Sequence, residues 1–80
     1  MNIIIDRSFV DEQGVRWIID YKTSAHEGSD LEGFLDNEQL RYRGQLERYA
    51  ALMGYLDERP IRLGLYFPVL GGWREWEYQR

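Results

Sequence analysis

The stretch Val15-Arg16-Trp17-Ile18-Ile19-Asp20-Tyr21-Lys22-Thr23 decides the fold. β-Branched and aromatic residues dominate it, and such side chains suit a pleated, half-buried strand. A second run of the same character, Ile3 to Val10, precedes it across Asp11-Glu12-Gln13-Gly14, so the pair reads as a β-hairpin. With Glu12-Gln13-Gly14 as a three-residue loop and Gly14 in the left-handed conformation, Asp11 faces Val15. Counting back along both strands then sets Asp6 directly opposite Asp20.

Outward from this hairpin, His26 to Glu38 carries Glu27, Asp30, Glu32, Asp36 and Glu38 with no Lys or Arg, plus Gly28 and Gly33. It reads as an acidic loop over 25–37. Tyr42, Leu46, Tyr49, Met53 and Leu56 then recur at spacings of four and three, which predicts an amphipathic helix over 38–58 with Asn37 as N-cap. Pro60 punctuates. Ile61, Leu63, Leu65, Phe67 and Val69 alternate onto one face of a following strand, and a parallel pairing with the second strand follows from the strand-helix-strand order. Gly71-Gly72 reads as a two-residue turn that would set Leu70 opposite Trp73, Phe67 opposite Trp76 and Leu65 opposite Tyr78.

The order β-β-α-β-β predicts one α/β (α+β) domain over 1–80, a four-stranded mixed sheet with one helix. Its parts are a hairpin at 1–24, the loop at 25–37, the helix at 38–58 and a second hairpin at 61–80. One helix covers one sheet face. The other should meet a second copy, as a homodimer, or elements that this chain lacks.

Composition narrows the function classes. Eighty residues make a single small domain that buries only about 60 per cent of its unfolded surface. Zero cysteines exclude a disulfide framework, a Cys-type zinc site and an iron-sulfur cluster. Ten Lys and Arg against fourteen Asp and Glu give a net charge of -4, unlike the basic footprint of a free-standing nucleic-acid binder, so strong unaided affinity for DNA is not expected. No apolar run approaches a membrane span and no signal peptide is evident, which points to a cytoplasmic protein.

The chemistry-bearing residues gather in the first hairpin. Arg16, Ile18, Asp20 and Lys22 share one face of their strand. Two carboxylates side by side at Asp6 and Asp20 repel unless one is protonated, a cation such as Lys22 screens them, or a divalent ion bridges them. Mg²⁺, with Mn²⁺ as substitute, takes oxygen ligands and keeps waters, so Asp6, Asp20 and the main-chain carbonyl of Tyr21 would leave positions for a phosphate and a nucleophile. Lys22 would hold or deprotonate an attacking water and offset transition-state charge. Arg7 adjoins the site as a candidate phosphate contact. Set against this, Asp20 and Lys22 also read as a solvated pair on an exposed sheet face. His26 reads as a surface residue, Arg41, Arg43 and Arg48 as solvated helix charges, and Trp73, Trp76 and Tyr78 as packing residues.

Three strings in order, Ile5-Asp6-Arg7, Trp17-Ile18-Ile19-Asp20-Tyr21-Lys22-Thr23 and Gln45-Leu46 followed by Tyr49, resemble the RecB-like nucleases of the PD-(D/E)XK superfamily, typified by RecB and AddA. The resemblance runs from Ile3 to about Pro68. It implies a restriction-endonuclease-like core and a Mg²⁺-dependent, exonuclease-like DNA nuclease module of a helicase-nuclease in break repair and recombination. By position, Asp6 and Asp20 would bind metal, Lys22 would serve the catalytic water, and Gln45 and Tyr49 would support the site and contact DNA. The partners implied are DNA and a helicase domain or subunit. Members of this family carry a helix and a strand before the first aspartate, with a His or Glu ligand, so the resemblance makes this chain the C-terminal part and predicts weak metal affinity. The alternative is a catalytically inactive nuclease-fold remnant serving DNA docking or protein assembly.

Overall fold

A computed structural model of the chain describes residues 7–26 and 28–79. The first hairpin forms as its turn chemistry dictates. Strands β1 (Arg7–Val10) and β2 (Arg16–Tyr21) pair antiparallel, with Val10 opposite Arg16 and Arg7 opposite Ile19. Gly14 sits at φ 81°, the left-handed region a three-residue loop requires of its last residue. The Asp11 carboxylate ties the loop down, accepting from the Gln13 and Val15 backbone N–H groups at 2.9 and 3.0 Å and from the Trp17 indole at 2.9 Å. The register seen is the one the sequence predicts; the expected Asp6–Asp20 pairing itself lies outside the described residues.

Helix α1 spans Leu31–Leu56, two turns longer at its start than the periodicity from Tyr42 suggests. Asp30, and not Asn37, caps it, accepting the Gly33 N–H at 2.9 Å. Much of the expected acidic loop is therefore helix. Arg74 stabilises this extra length by reaching Asp36 at 2.9 Å and Glu32 at 3.0 Å, and the Glu32 carboxylate suits the positive end of the helix dipole.

Strands β3 (Ile61–Phe67) and β4 (Gly72–Glu77) complete a sheet of order β1-β2-β3-β4, parallel between β2 and β3 and antiparallel elsewhere. This is the expected four-stranded mixed sheet with one helix. The second hairpin differs in its turn. Pro68 takes the position where a fixed φ favours a β-turn, the Leu70 N–H donates to the Phe67 carbonyl at 3.1 Å, and Gly71 follows at φ 67°. A four-residue connection results, so Leu63 and not Phe67 faces Trp76, Leu65 faces Arg74, and Val69 is an exposed turn residue.

Ile18, Ile61, Leu63, Leu65 and Phe67 from the sheet meet Leu35, Leu46 and Ala50 from the helix, all at most 1 per cent exposed. Gly72 lets Leu35 in, since a Cβ there would stand 2.9 Å from its methyls. Among the described residues no helix covers the opposite face of the sheet, which carries Phe9, Trp17, Ile19, Tyr21, Tyr66 and Trp73. Gly64 makes room there for the Trp73 ring, which would lie 2.4 Å from an added Cβ. Among the described residues, no helix is long and apolar enough to cross a membrane.

Candidate functional site

Asp20 projects from β2 toward the helix, beside Leu65 of β3 in the parallel register, and is only 7 per cent exposed. A carboxylate so placed loses hydration and needs compensation. Lys22 supplies it: the ammonium lies 2.8 Å from Asp20 Oδ2, on the same face two residues further along. The Lys22 backbone N–H also donates to the Tyr66 carbonyl at 2.8 Å, so the parallel ladder fixes the main chain one residue beyond the strand end.

The helix provides the third wall. Lys22 Nζ sits 3.7 Å from the centroid of the Tyr42 ring, whose negative face favours a cation. Tyr42 is held over the strand because the helix is pinned at both ends. At its start Arg74 grips Asp36 and Glu32; at its end Asp57 Oδ2 accepts from Nε and Nη2 of Arg16, each at 3.3 Å. The Arg59 backbone N–H, aided by the Arg59 and Arg16 guanidiniums, holds the Asp57 carboxyl below its ordinary range despite some desolvation. Asp11 is lowered in the same direction, first by the Trp17 indole and then by the turn N–H groups.

The sequence-predicted site residues are distributed unevenly. Asp20 and Lys22 come together as a partly desolvated ion pair, not as the solvated pair of the bland reading. Tyr21 lies between them in sequence with its ring on the opposite face, edge-on to Tyr66 at 5.6 Å. Gln45 is half-buried one helical turn beyond Tyr42. Tyr49 packs against the core cluster. Arg7 does not join them: it pairs with Ile19, one step out of phase with Asp20, so pleat alternation sends it to the other sheet face, where its guanidinium lies 5.0 Å over Phe9. Asp6 lies outside the described residues.

Two residues depart from the sequence reading. Glu38, expected as the first residue of the helix and a member of the acidic run, does lie in the helix but is only 8 per cent exposed, one turn before Tyr42 and 3.9 Å from the Arg41 guanidinium. Its signal was the four-residue spacing to Tyr42. His26, read as solvated, stacks on Phe34 with centroids 4.6 Å apart. A surface depression lined by Phe34, Asn37, Glu38, Leu40 and Arg41 does not include Asp20 or Lys22.

Among the described residues, no three His, Cys, Asp or Glu side chains gather where they would hold a metal ion. A magnesium site built on one or two carboxylates and several waters needs less than that. Asp20 supplies one such carboxylate, and Asp6, the other expected ligand, lies outside the described residues. The chain matches no protein-family model, no curated protein and no solved structure.

Proposed function

We propose that the chain is the C-terminal part of a RecB-like nuclease module with a restriction-endonuclease-like core, and that Asp20 and Lys22 belong to a site that hydrolyses DNA phosphodiesters. The observation that carries this reading is the Lys22 ammonium, partly desolvated and aimed by two contacts, 2.8 Å from the Asp20 carboxylate near the end of strand β2. An ordinary surface pair is not held this way, because exposed ion pairs contribute little and keep their side chains mobile.

In this reading Asp20 and Asp6 would hold a divalent ion. Bound Mg²⁺, or Mn²⁺ in its place, would polarise the phosphoryl oxygen and acidify a water. Lys22 donates from Nζ to the attacking water and offsets the charge that grows on the phosphate oxygens. Tyr42 keeps that ammonium in place, and Gln45 stands a turn away to support the site on the DNA side. The net charge of -4 leaves DNA affinity to a helicase domain or subunit, in the cytoplasm, during break repair and recombination.

Cleavage of end-labelled linear DNA in Mg²⁺ and Mn²⁺ tests this. The reading expects metal-dependent products that Asp20→Asn and Lys22→Met both abolish; products that persist in Asp20→Asn would remove it. A second reading, the inactive remnant used for DNA docking or assembly, draws on the same ion pair, because Lys22 neutralises Asp20 without any metal. It expects no products from the folded wild type in either metal.

A further inference from the structure

We infer that the helix-free face of the sheet is the contact surface for a second copy of this chain, packed face to face about a two-fold axis that runs along the strands between β2 and β3. This inference stands apart from the nuclease reading and needs no metal.

The face is aromatic and open. Tyr21, Tyr66 and Trp73 are 42, 39 and 37 per cent exposed. Trp17 and Trp73 rings lie 6.2 Å apart and Tyr66 and Trp73 rings 6.4 Å apart, so they form one continuous layer. Gly64 is what allows the layer to be flat, since any side chain there would lift Trp73. Exposed aromatic clusters of this kind mark contact surfaces.

Charge decides the occupant. The β1 edge of this face carries Arg7, and the β4 edge carries Glu75 and Glu77. The registers Arg7–Ile19, Ile19–Gly64 and Gly64–Glu75 put Arg7 and Glu75 in one row across the sheet, at opposite edges. A two-fold axis along the strands lays β1 of one copy over β4 of the other at the same level. Arg7 of each copy then meets Glu75 of its partner, and the basic edge covers the acidic edge twice. A two-fold axis across the strands would instead set like edges over one another. Single-stranded nucleic acid, the other occupant that aromatic rings suggest, fits poorly: two glutamates line β4, and Arg62 is already turned to Trp17 at 5.6 Å and to Glu75 at 3.5 Å.

Four strands of about six residues present a footprint of roughly 400 Å² per copy. The two copies together bury about 800 Å², below the roughly 1,200–2,000 Å² of stable specific interfaces, so the dimer is weak and concentration-dependent. Sedimentation equilibrium at rising micromolar concentration is expected to show the mass climbing from one chain toward two. Arg7→Glu, and separately Tyr66→Lys, should each raise the dissociation constant at least about tenfold, and Arg7→Glu with Glu75→Arg should restore it. Circular dichroism checks that each variant is folded. A wild type that stays monomeric throughout overturns the inference, as does a dimer indifferent to both single variants. So does a monomer that binds labelled oligothymidine in a manner Tyr66→Lys abolishes, since that assigns the face to nucleic acid.

Discussion

Lys22 holds its ammonium 2.8 Å from the Asp20 carboxylate, two residues back along β2, while the Tyr42 ring of the helix contacts the same ammonium at 3.7 Å. Strand alternation places both charges on the helix side, and the flexible lysine stem folds back over one pleat to close the pair. The side chains are 19 and 10 per cent exposed, so the pair is screened less than a surface pair and more than a buried one. Lys22→Met strands the carboxylate and is expected to destabilise by about 1–3 kcal/mol, below the full figure for a buried pair because solvent still reaches it. Asp20→Asn should cost less, because the ammonium keeps Tyr42. Urea unfolding of both single variants and the double variant should give a coupling energy near or above about 1 kcal/mol; strictly additive losses would mean that the pair does not interact.

Acid should loosen two carboxylate clamps at the Arg16 end of β2, Asp11 in the hairpin turn and Asp57 after the helix. Asp11 and Asp57 both titrate lower in the folded chain than in the unfolded chain, Asp11 first through the Trp17 indole and Asp57 first through the Arg59 N–H. The folded state therefore binds fewer protons, and stability rises with pH in that window. The contribution is complete above the unfolded carboxylate value of about 4 and is lost as pH falls through the lower folded values. Urea midpoints measured downward from about pH 6 should fall below about pH 4, and the fall should be shallower in Asp11→Asn and Asp57→Asn. An unchanged slope in both variants would show that neither clamp is linked to folding.

Gly64 and Trp73 form a strict pair. An alanine Cβ at Gly64 would sit 2.4 Å from the Trp73 ring, closer than packed atoms approach. Gly64→Ala should destabilise by about 1–3 kcal/mol despite the usual preference for alanine over glycine in strands. Gly64→Ala with Trp73→Leu should recover most of that loss in the same unfolding experiment. If the alanine variant is as stable as wild type, the ring does not lie over β3.

The helix start separates two nearby candidates. Asp30→Ala removes the acceptor of the Gly33 N–H and should cost about 1 kcal/mol, while Asn37→Ala, inside the helix and exposed, should change stability by less than about 0.5 kcal/mol. The reverse order in thermal unfolding would move the helix start back to Asn37.

How much of this was legible in the sequence depends on the local geometry. The first hairpin was, because a three-residue loop ending on a left-handed glycine leaves one register, and that register set Asp20 and Lys22 on a common face. The second hairpin was misread because Gly71-Gly72 looks like a complete turn, whereas Pro68 begins the turn earlier and β4 already includes Gly72. The resulting slip moves every partner by an even number of residues, so Leu63, Leu65 and Phe67 still fell on the core face. The helix start was hidden by acidic residues and glycines, although Leu31 and Leu35 continue the apolar spacing; Asp30 is the cap, and Arg74, distant in sequence, pairs with Glu32 and Asp36. Tyr42 as a seat for Lys22 was not legible, since it depends on how the helix crosses the sheet. The misplacement of Arg7 was avoidable: the alternation that turns Asp20 inward turns the residue opposite Ile19 outward.

In the proposed function Asp20 and Asp6 would hold a divalent ion beside Lys22. Mn²⁺ binding followed by electron paramagnetic resonance, on wild type, Asp6→Asn and Asp20→Asn, tests it most directly. The expected result is a weak site on the wild-type chain that both substitutions remove while the fold survives. A wild type that binds no Mn²⁺, or binding that is equal in all three chains, would contradict it.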